Sequence, residues 1–192
     1  MRKALFTLGL TLLLAPVLHF DLMTGFALQP AADEAVIAEF NRRVLVYVGL
    51  HRRIEGPVTT VAVSDDWRQI RAAIDALAAG IRTARSDAQR GDIFAPPIER
   101  WFRQRIAVLL EDCNTAELLE TLNEENPEGL VLVAEVNASW PPEASLGPMP
   151  PHLLAGLPQL PDDLQYRFMN RDLVLWDAHA NIIVDFIRQA MP

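Results

Sequence analysis

Residues 164–187 carry the pattern that most restricts the fold. Leu164, Tyr166 and Phe168 alternate with Gln165 and Arg167, the period of a strand with two unlike faces. Asn170 and Arg171 follow, and Asn tolerates the positive φ of a tight turn. Residues 173–176 return, residues 178–181 connect, and Ile182-Ile-Val-Asp-Phe-Ile187 makes a last strand. Connections this short join antiparallel neighbours, so the C-terminus is expected to be a meander. A sheet this small needs a second layer against its apolar face.

The preceding chain offers that layer. Val36, Ile37, Phe40, Val44, Tyr47, Val48 and His51 recur at helical spacing behind Asp33 and Glu34, and Gly56-Pro57 ends the run. Residues 28–32 read as a short flexible start. Ser64, Asp65 and Asp66 open a second helix with Trp67, Ile70, Ile74, Leu77, Ile81 and Ala84 on one face, and Gly91 is its natural stop. Pro96-Pro97 begins a third, carrying Trp101, Phe102, Ile106, Leu109 and Leu110. Asn114 and Glu117 have capping-box spacing before a short fourth helix that stops at Asn126-Pro127.

Leu130-Val-Leu-Val-Ala-Glu-Val136 is β-rich and predicts a further strand. Residues 141–161 hold 7 of the 14 prolines, which leaves room for no regular element beyond a turn or two of helix at 152–156. Their apolar content predicts an ordered, packed crossover. The expected fold is therefore a single α+β domain over residues 28–192. About four N-terminal helices pack on a small three- or four-stranded antiparallel C-terminal sheet. A helical bundle with a β appendage is the alternative.

Residues 1–27 have a different use. Arg2 and Lys3 precede the apolar run Ala4-Leu-Phe-Thr-Leu-Gly-Leu-Thr-Leu-Leu-Leu-Ala15, and Gly25-Phe26-Ala27 places small residues at −3 and −1 of a cleavage site. That order is a secretory signal and predicts a periplasmic or secreted protein. An uncleaved anchor is the rival, weakened by Pro16, His19 and Asp21.

Composition removes several chemistries. Lys3 is the only lysine, so beyond the signal there is no Schiff-base lysine, Ser–Lys dyad or P-loop lysine. The chain carries −8 overall, with 12 Arg against 10 acids in residues 28–110 and 3 Arg against 14 acids in residues 111–192. Such a chain gains nothing from nucleic-acid phosphates. Membrane contact is expected only through an uncleaved N-terminal segment. Cys113 is the sole cysteine, which rules out an internal disulfide and reads as a buried, inert thiol.

Gly91-Asp-Ile-Phe94, Glu125-Asn-Pro127 and the tail Tyr166-Arg-Phe, Arg171-Asp-Leu-Val-Leu and Ala180-Asn-Ile-Ile-Val-Asp-Phe186 resemble a group of exported, signal-peptide-bearing bacterial proteins of unknown function. The resemblance spans most of the chain after the signal. It implies export and supplies no activity.

No catalytic motif stands out. The serines lack a Gly-x-Ser-x-Gly elbow, and there is no Gly-x-Gly-x-x-Gly. His179 between Asp177 and Asp185 offers acid–base or ligand chemistry, but the local sequence also reads as an exposed turn. His51 lies on an apolar stripe, where a hydrogen-bonded core histidine is the default. Arg42-Arg43 and Arg52-Arg53 sit about 15 Å apart along the helix, too far for one small anion. Glu117, Glu120, Glu124, Glu125 and Glu128 read as a solvated acidic face. Asn137-Ala-Ser139 matches a glycosylation acceptor but is discounted for Pro141.

The sequence therefore predicts an exported, non-catalytic module binding a protein or cell-envelope component, with no cofactor and no metal. The binding residues expected are Trp140, Tyr166 and Arg167, at the junction of crossover and sheet, with Trp140 half exposed. A periplasmic hydrolase using carboxylates and His179, and a membrane-anchored accessory subunit, are the alternatives.

Overall fold

The computed structural model describes residues 24–58, 66–111, 113–124, 126–147 and 149–192. Helices α1 (Thr24–Val58), α2 (Trp67–Ala84), α3 (Pro96–Leu109), α4 (Thr115–Asn123) and α5 (Pro151–Gly156) precede strands β1 (Leu164–Met169), β2 (Asp172–Asp177) and β3 (Ile182–Ile187). The signal reading falls mostly on residues 1–23, outside the described residues. No helix among the described residues is long and apolar enough to cross a membrane.

Each helix follows from local chemistry. On α1, Phe40, Val44, Tyr47, Val48 and His51 form one buried stripe. The helix begins at Thr24, not after a flexible 28–32. Ala27, Ala31 and Ala32 are strong helix formers, yet they add no apolar period to read. Ser64 lies outside the described residues, and Asp66 caps α2 by accepting the Arg68 N–H. α2 stops at Ala84 rather than at Gly91. Its apolar face is also longer than the surface it covers: Leu77, Ala78 and Ile81 are buried, while Trp67 stays 70% exposed. Prolines open α3, and Asn114 caps α4 through the Ala116 and Glu117 N–H groups, as its spacing predicted.

The sheet is the expected antiparallel meander, ordered β1-β2-β3. Asn170 and Asn181, at φ 54 and 50, hold its two turns. Leu164, Tyr166, Phe168, Leu173, Leu175, Ile182, Val184 and Ile187 face the helices. Phe40, Phe94, Phe102 and Tyr166 stack there, with Phe102 centroids 5.0, 5.1 and 5.9 Å from the other three. Met169, Val174, Trp176, Ile183 and Phe186 face the other way and form a second core.

Residues 130–136 cover that second face. They are extended, and Leu130, Leu132, Ala134 and Val136 pack inward while Val131 stays 83% exposed. They do not form the predicted strand. Asn137 N–H and Ala138 C=O pair with Ile183, at 2.8 Å each, and the rest lies across the sheet face instead of along its edge. The β alternation was present in the sequence; what it packs against differs, so the sheet has three strands. A bulge completes the sheet. Leu175 pairs with Asp185 and Trp176 with Ile183, which leaves Val184 as the extra residue. Val184 and Asp185 therefore both reach the helical side.

Phe102→Ala should lower unfolding stability by about 3–5 kcal/mol, the range for a lost core aromatic. Val131→Ser should change it by less than about 0.5 kcal/mol. Urea denaturation of both variants checks the two layers together.

Candidate functional site

Tyr47 and His51 sit four residues apart, one turn along the buried stripe of α1. Tyr47 Oη donates to Asp177 Oδ2 at 2.6 Å, and His51 Nδ1 lies 2.6 Å from the same oxygen. Asp177 Oδ1 accepts the Ala180 N–H at 2.9 Å and so shapes the β2–β3 turn. His51 and Asp177 are fully buried. Burial, and then the Asp177 charge, raise the Tyr47 hydroxyl far above its ordinary range, so it stays a donor. Burial alone would lower His51; the Asp177 hydrogen bond and the charges of Asp177, Glu55 and Asp163 outweigh it and raise the imidazole. Arg85 lies over the Tyr47 ring, 5.0 Å from its centroid.

A rim surrounds this cluster. His51 Nε2 lies 3.4 Å from Glu55 Oε2, without the alignment of a hydrogen bond, and has no hydrogen-bond partner among the described residues. His179 Nδ1 is 3.6 Å from Glu55 Oε1 and 3.8 Å from Asp163 Oδ1. Arg52 reaches Asp163 at 3.2 Å. His179 is half exposed and forms the mouth. The helix spacing of His51 and Glu55, the turn before β1 and the β2–β3 turn thus meet at one place.

Asp185 belongs to a different device. Its carboxylate accepts N–H groups from Gly91, Ile93, Phe94 and its own neighbour Phe186, at 2.8–2.9 Å. Gly91, at φ 95, lets three of those donors converge. Burial raises the Asp185 carboxyl above its ordinary value, and the four N–H bonds offset only part of that rise. The sequence grouping of Asp177, His179 and Asp185 therefore does not form one centre: Asp177 faces α1, Asp185 the 91–94 loop, and His179 meets Glu55 and Asp163. Alternate residues of a strand end on opposite errands once a bulge and a turn intervene.

The three predicted binding residues are also divided. Trp140 is 4% exposed, not half exposed. It packs on Trp176 in the second core, centroids 6.0 Å apart, and its Nε1 donates to Ala144 C=O. The 130–144 stretch needs an anchor on the sheet, and Trp140 is the largest apolar group in it. Tyr166 is buried on the helical side and donates to Pro158 C=O at 3.1 Å. Arg167 is on the opposite face, 5.8 Å from the Trp176 centroid, and donates to Gly147 C=O and Gln165 Oε1. Tyr166 and Arg167 do both line a cleft of about 410 Å³ between β1 and the crossover, with Met149, Leu154, Pro158 and Leu160.

Other sequence features take modest places. Arg42 and Arg43 both bind Glu39, which their attraction holds down to about 2. Glu117, Glu120, Glu124 and Glu128 are exposed. Cys113 is only partly buried, its sulfur 3.6 Å from His152 Nε2. Asn137 exchanges hydrogen bonds with Arg85. The Tyr47–His51–Asp177 cluster was missed as a unit. Its signal was two polar side chains on an apolar stripe, which demand a buried partner from elsewhere in the chain.

Asp177→Ala should cost at least about 3 kcal/mol, because two buried donors lose their acceptor. Tyr47→Phe, which removes one donor and keeps the ring, should cost about 1–2 kcal/mol. Asp185→Asn should also destabilise, since its amide would present donors to donors. Chemical denaturation of the three variants orders them.

No protein-family model, curated protein or solved structure matches this chain significantly.

Proposed function

We propose that the chain is an exported, non-catalytic module that binds a protein or other cell-envelope component at the cleft between the crossover and β1. The observation that carries this reading is the cleft's place beside an edge strand. β1 pairs only with β2, so half of its backbone donors and acceptors point away from the sheet. Met149, Leu154, Pro158 and Leu160 line the space next to that edge. Backbone groups for pairing beside apolar pockets for side chains are what an extended segment of a partner requires. Five prolines between 148 and 161 limit the freedom that the crossover loses when it is covered.

Other features agree. The −8 charge disfavours nucleic acid. Of the sequence grouping Asp177, His179 and Asp185, Asp185 is committed to the 91–94 loop, while His179 meets Glu55 and Asp163. Export rests on Arg2, Lys3 and the apolar run behind them.

A photo-crosslinking amino acid at Leu154, 47% exposed in the cleft, should give a discrete adduct in cells, and one at Leu45, 62% exposed on α1, should not. Adducts from neither position, or the same adducts from both, would overturn the assignment of this cleft.

A further inference from the structure

We propose that His51, Glu55, Asp163 and His179 form a binding site for one zinc(II)-class cation, fastening α1 to the sheet. The site is separate from the cleft and stands whether or not the cleft binds a partner.

The first warrant is geometry. One ligand atom from each of His51, Asp163 and His179 can be chosen so that all three lie within 4.8 Å of one another. Glu55 stands between the two histidines, at 3.4 and 3.6 Å. A tetrahedral ion with arms of about 2.1 Å sets its ligand atoms about 3.4 Å apart. His179 Nδ1 is 3.8 Å from Asp163 Oδ1 and 3.6 Å from Glu55 Oε1, just beyond that edge, while His51 Nε2 is 3.4 Å from the other Glu55 oxygen, so Glu55 joins as the fourth ligand by turning one oxygen toward the ion. The half-exposed His179 supplies the small closing movement and the entry path for the ion.

The second warrant is independent of the first. His51 is fully buried, its Nδ1 is held by Asp177, and its Nε2, aimed at the rim, has no hydrogen-bond partner among the described residues. A buried polar nitrogen normally has a partner. A carboxylate on one imidazole nitrogen fixes the ring and its tautomer so that the other can coordinate a metal. Tyr47 holds that carboxylate in turn.

Charge and donor type select the ion. Glu55, Asp163 and Asp177 set three carboxylates around the two imidazoles, with Arg52 on Asp163, a setting that favours a cation. Two imidazoles and two carboxylates suit zinc(II) over the hard cations calcium and magnesium, which prefer all-oxygen shells. Four protein ligands leave no open position, the arrangement of structural sites.

The test uses the full chain stripped with a chelator and then titrated with ZnCl2, with MgCl2 and CaCl2 as comparisons. One zinc per chain by mass-spectrometric metal analysis is expected, with Tm raised by about 5–10 °C at a hundredfold excess over Kd. His179→Gln and Asp163→Asn should each weaken binding at least about tenfold. Both change residues near the surface, and circular dichroism of the metal-free variants checks that they fold. Cys113→Ser and His152→Gln remove the other sulfur–imidazole pair and should bind like the parent. Cobalt(II) should give the intense visible absorption of a tetrahedral site. Three results would each overturn the proposal: no stoichiometric zinc, binding retained in both rim variants, or loss of binding in His152→Gln. An equal Tm rise with calcium or magnesium would overturn the choice of ion and, with it, the tetrahedral site.

Discussion

Asp177 places a carboxylate where no solvent reaches, and three hydrogen bonds hold it there: Tyr47 and His51 on one oxygen, the Ala180 N–H on the other. A buried charge this well surrounded has few alternative homes. Any rotation of α1 by one residue would turn Tyr47 and His51 away and leave the carboxylate exposed to apolar neighbours. Any slip of β2 would carry Asp177 to the wrong face. The interaction therefore fixes both the azimuth of the helix and the register of the strand. The aromatic stack around Phe102 then fills the space that this alignment leaves.

Asp185 performs a parallel task within β3, opposite Leu175. The bulge at Val184 turns it toward the helical layer, and the 91–94 loop closes over it with three backbone N–H groups. Neither carboxylate touches the cleft that lines β1. Both are better understood as the frame that keeps the surface features in place. The His51 Nε2 edge is the exception, since the same buried cluster reaches the surface there beside Glu55 and His179.

Much of the fold was legible because it rests on local periodicity. Phe40, Val44 and Tyr47 mark α1, Asn114 marks the start of α4, and the alternation from Leu164 marks β1. Residues 130–136 show the limit. Alternation reports that one face is buried, but not whether the backbone bonds to a neighbour or merely lies across a sheet. The start of α1 was hidden for a related reason, because alanine favours helix without marking a face. The candidate sites were harder still. Tyr166 and Arg167 were placed at the crossover junction, and they line the cleft there from opposite faces of β1. Trp140 was expected half exposed because aromatic residues beside prolines look like surface contacts. Its large ring instead anchors the 130–144 stretch on Trp176. The His51–His179 rim brings together residues 128 positions apart, and no spacing rule reaches that far.

Arginine chemistry at the layer boundary has a consequence of its own. Arg82, Arg85, Arg103 and Arg105, all from α2, α3 or the cap between them, donate to the backbone carbonyls of Asn137, Val184, Gln189 and Gly156. Their acceptors in the acidic half are thus neutral dipoles rather than carboxylates. A carbonyl does not titrate, and its attraction for a guanidinium is short in range, inside the distance at which salt screens charges. At these four contacts the seam between the two halves is therefore insensitive to both acid and salt.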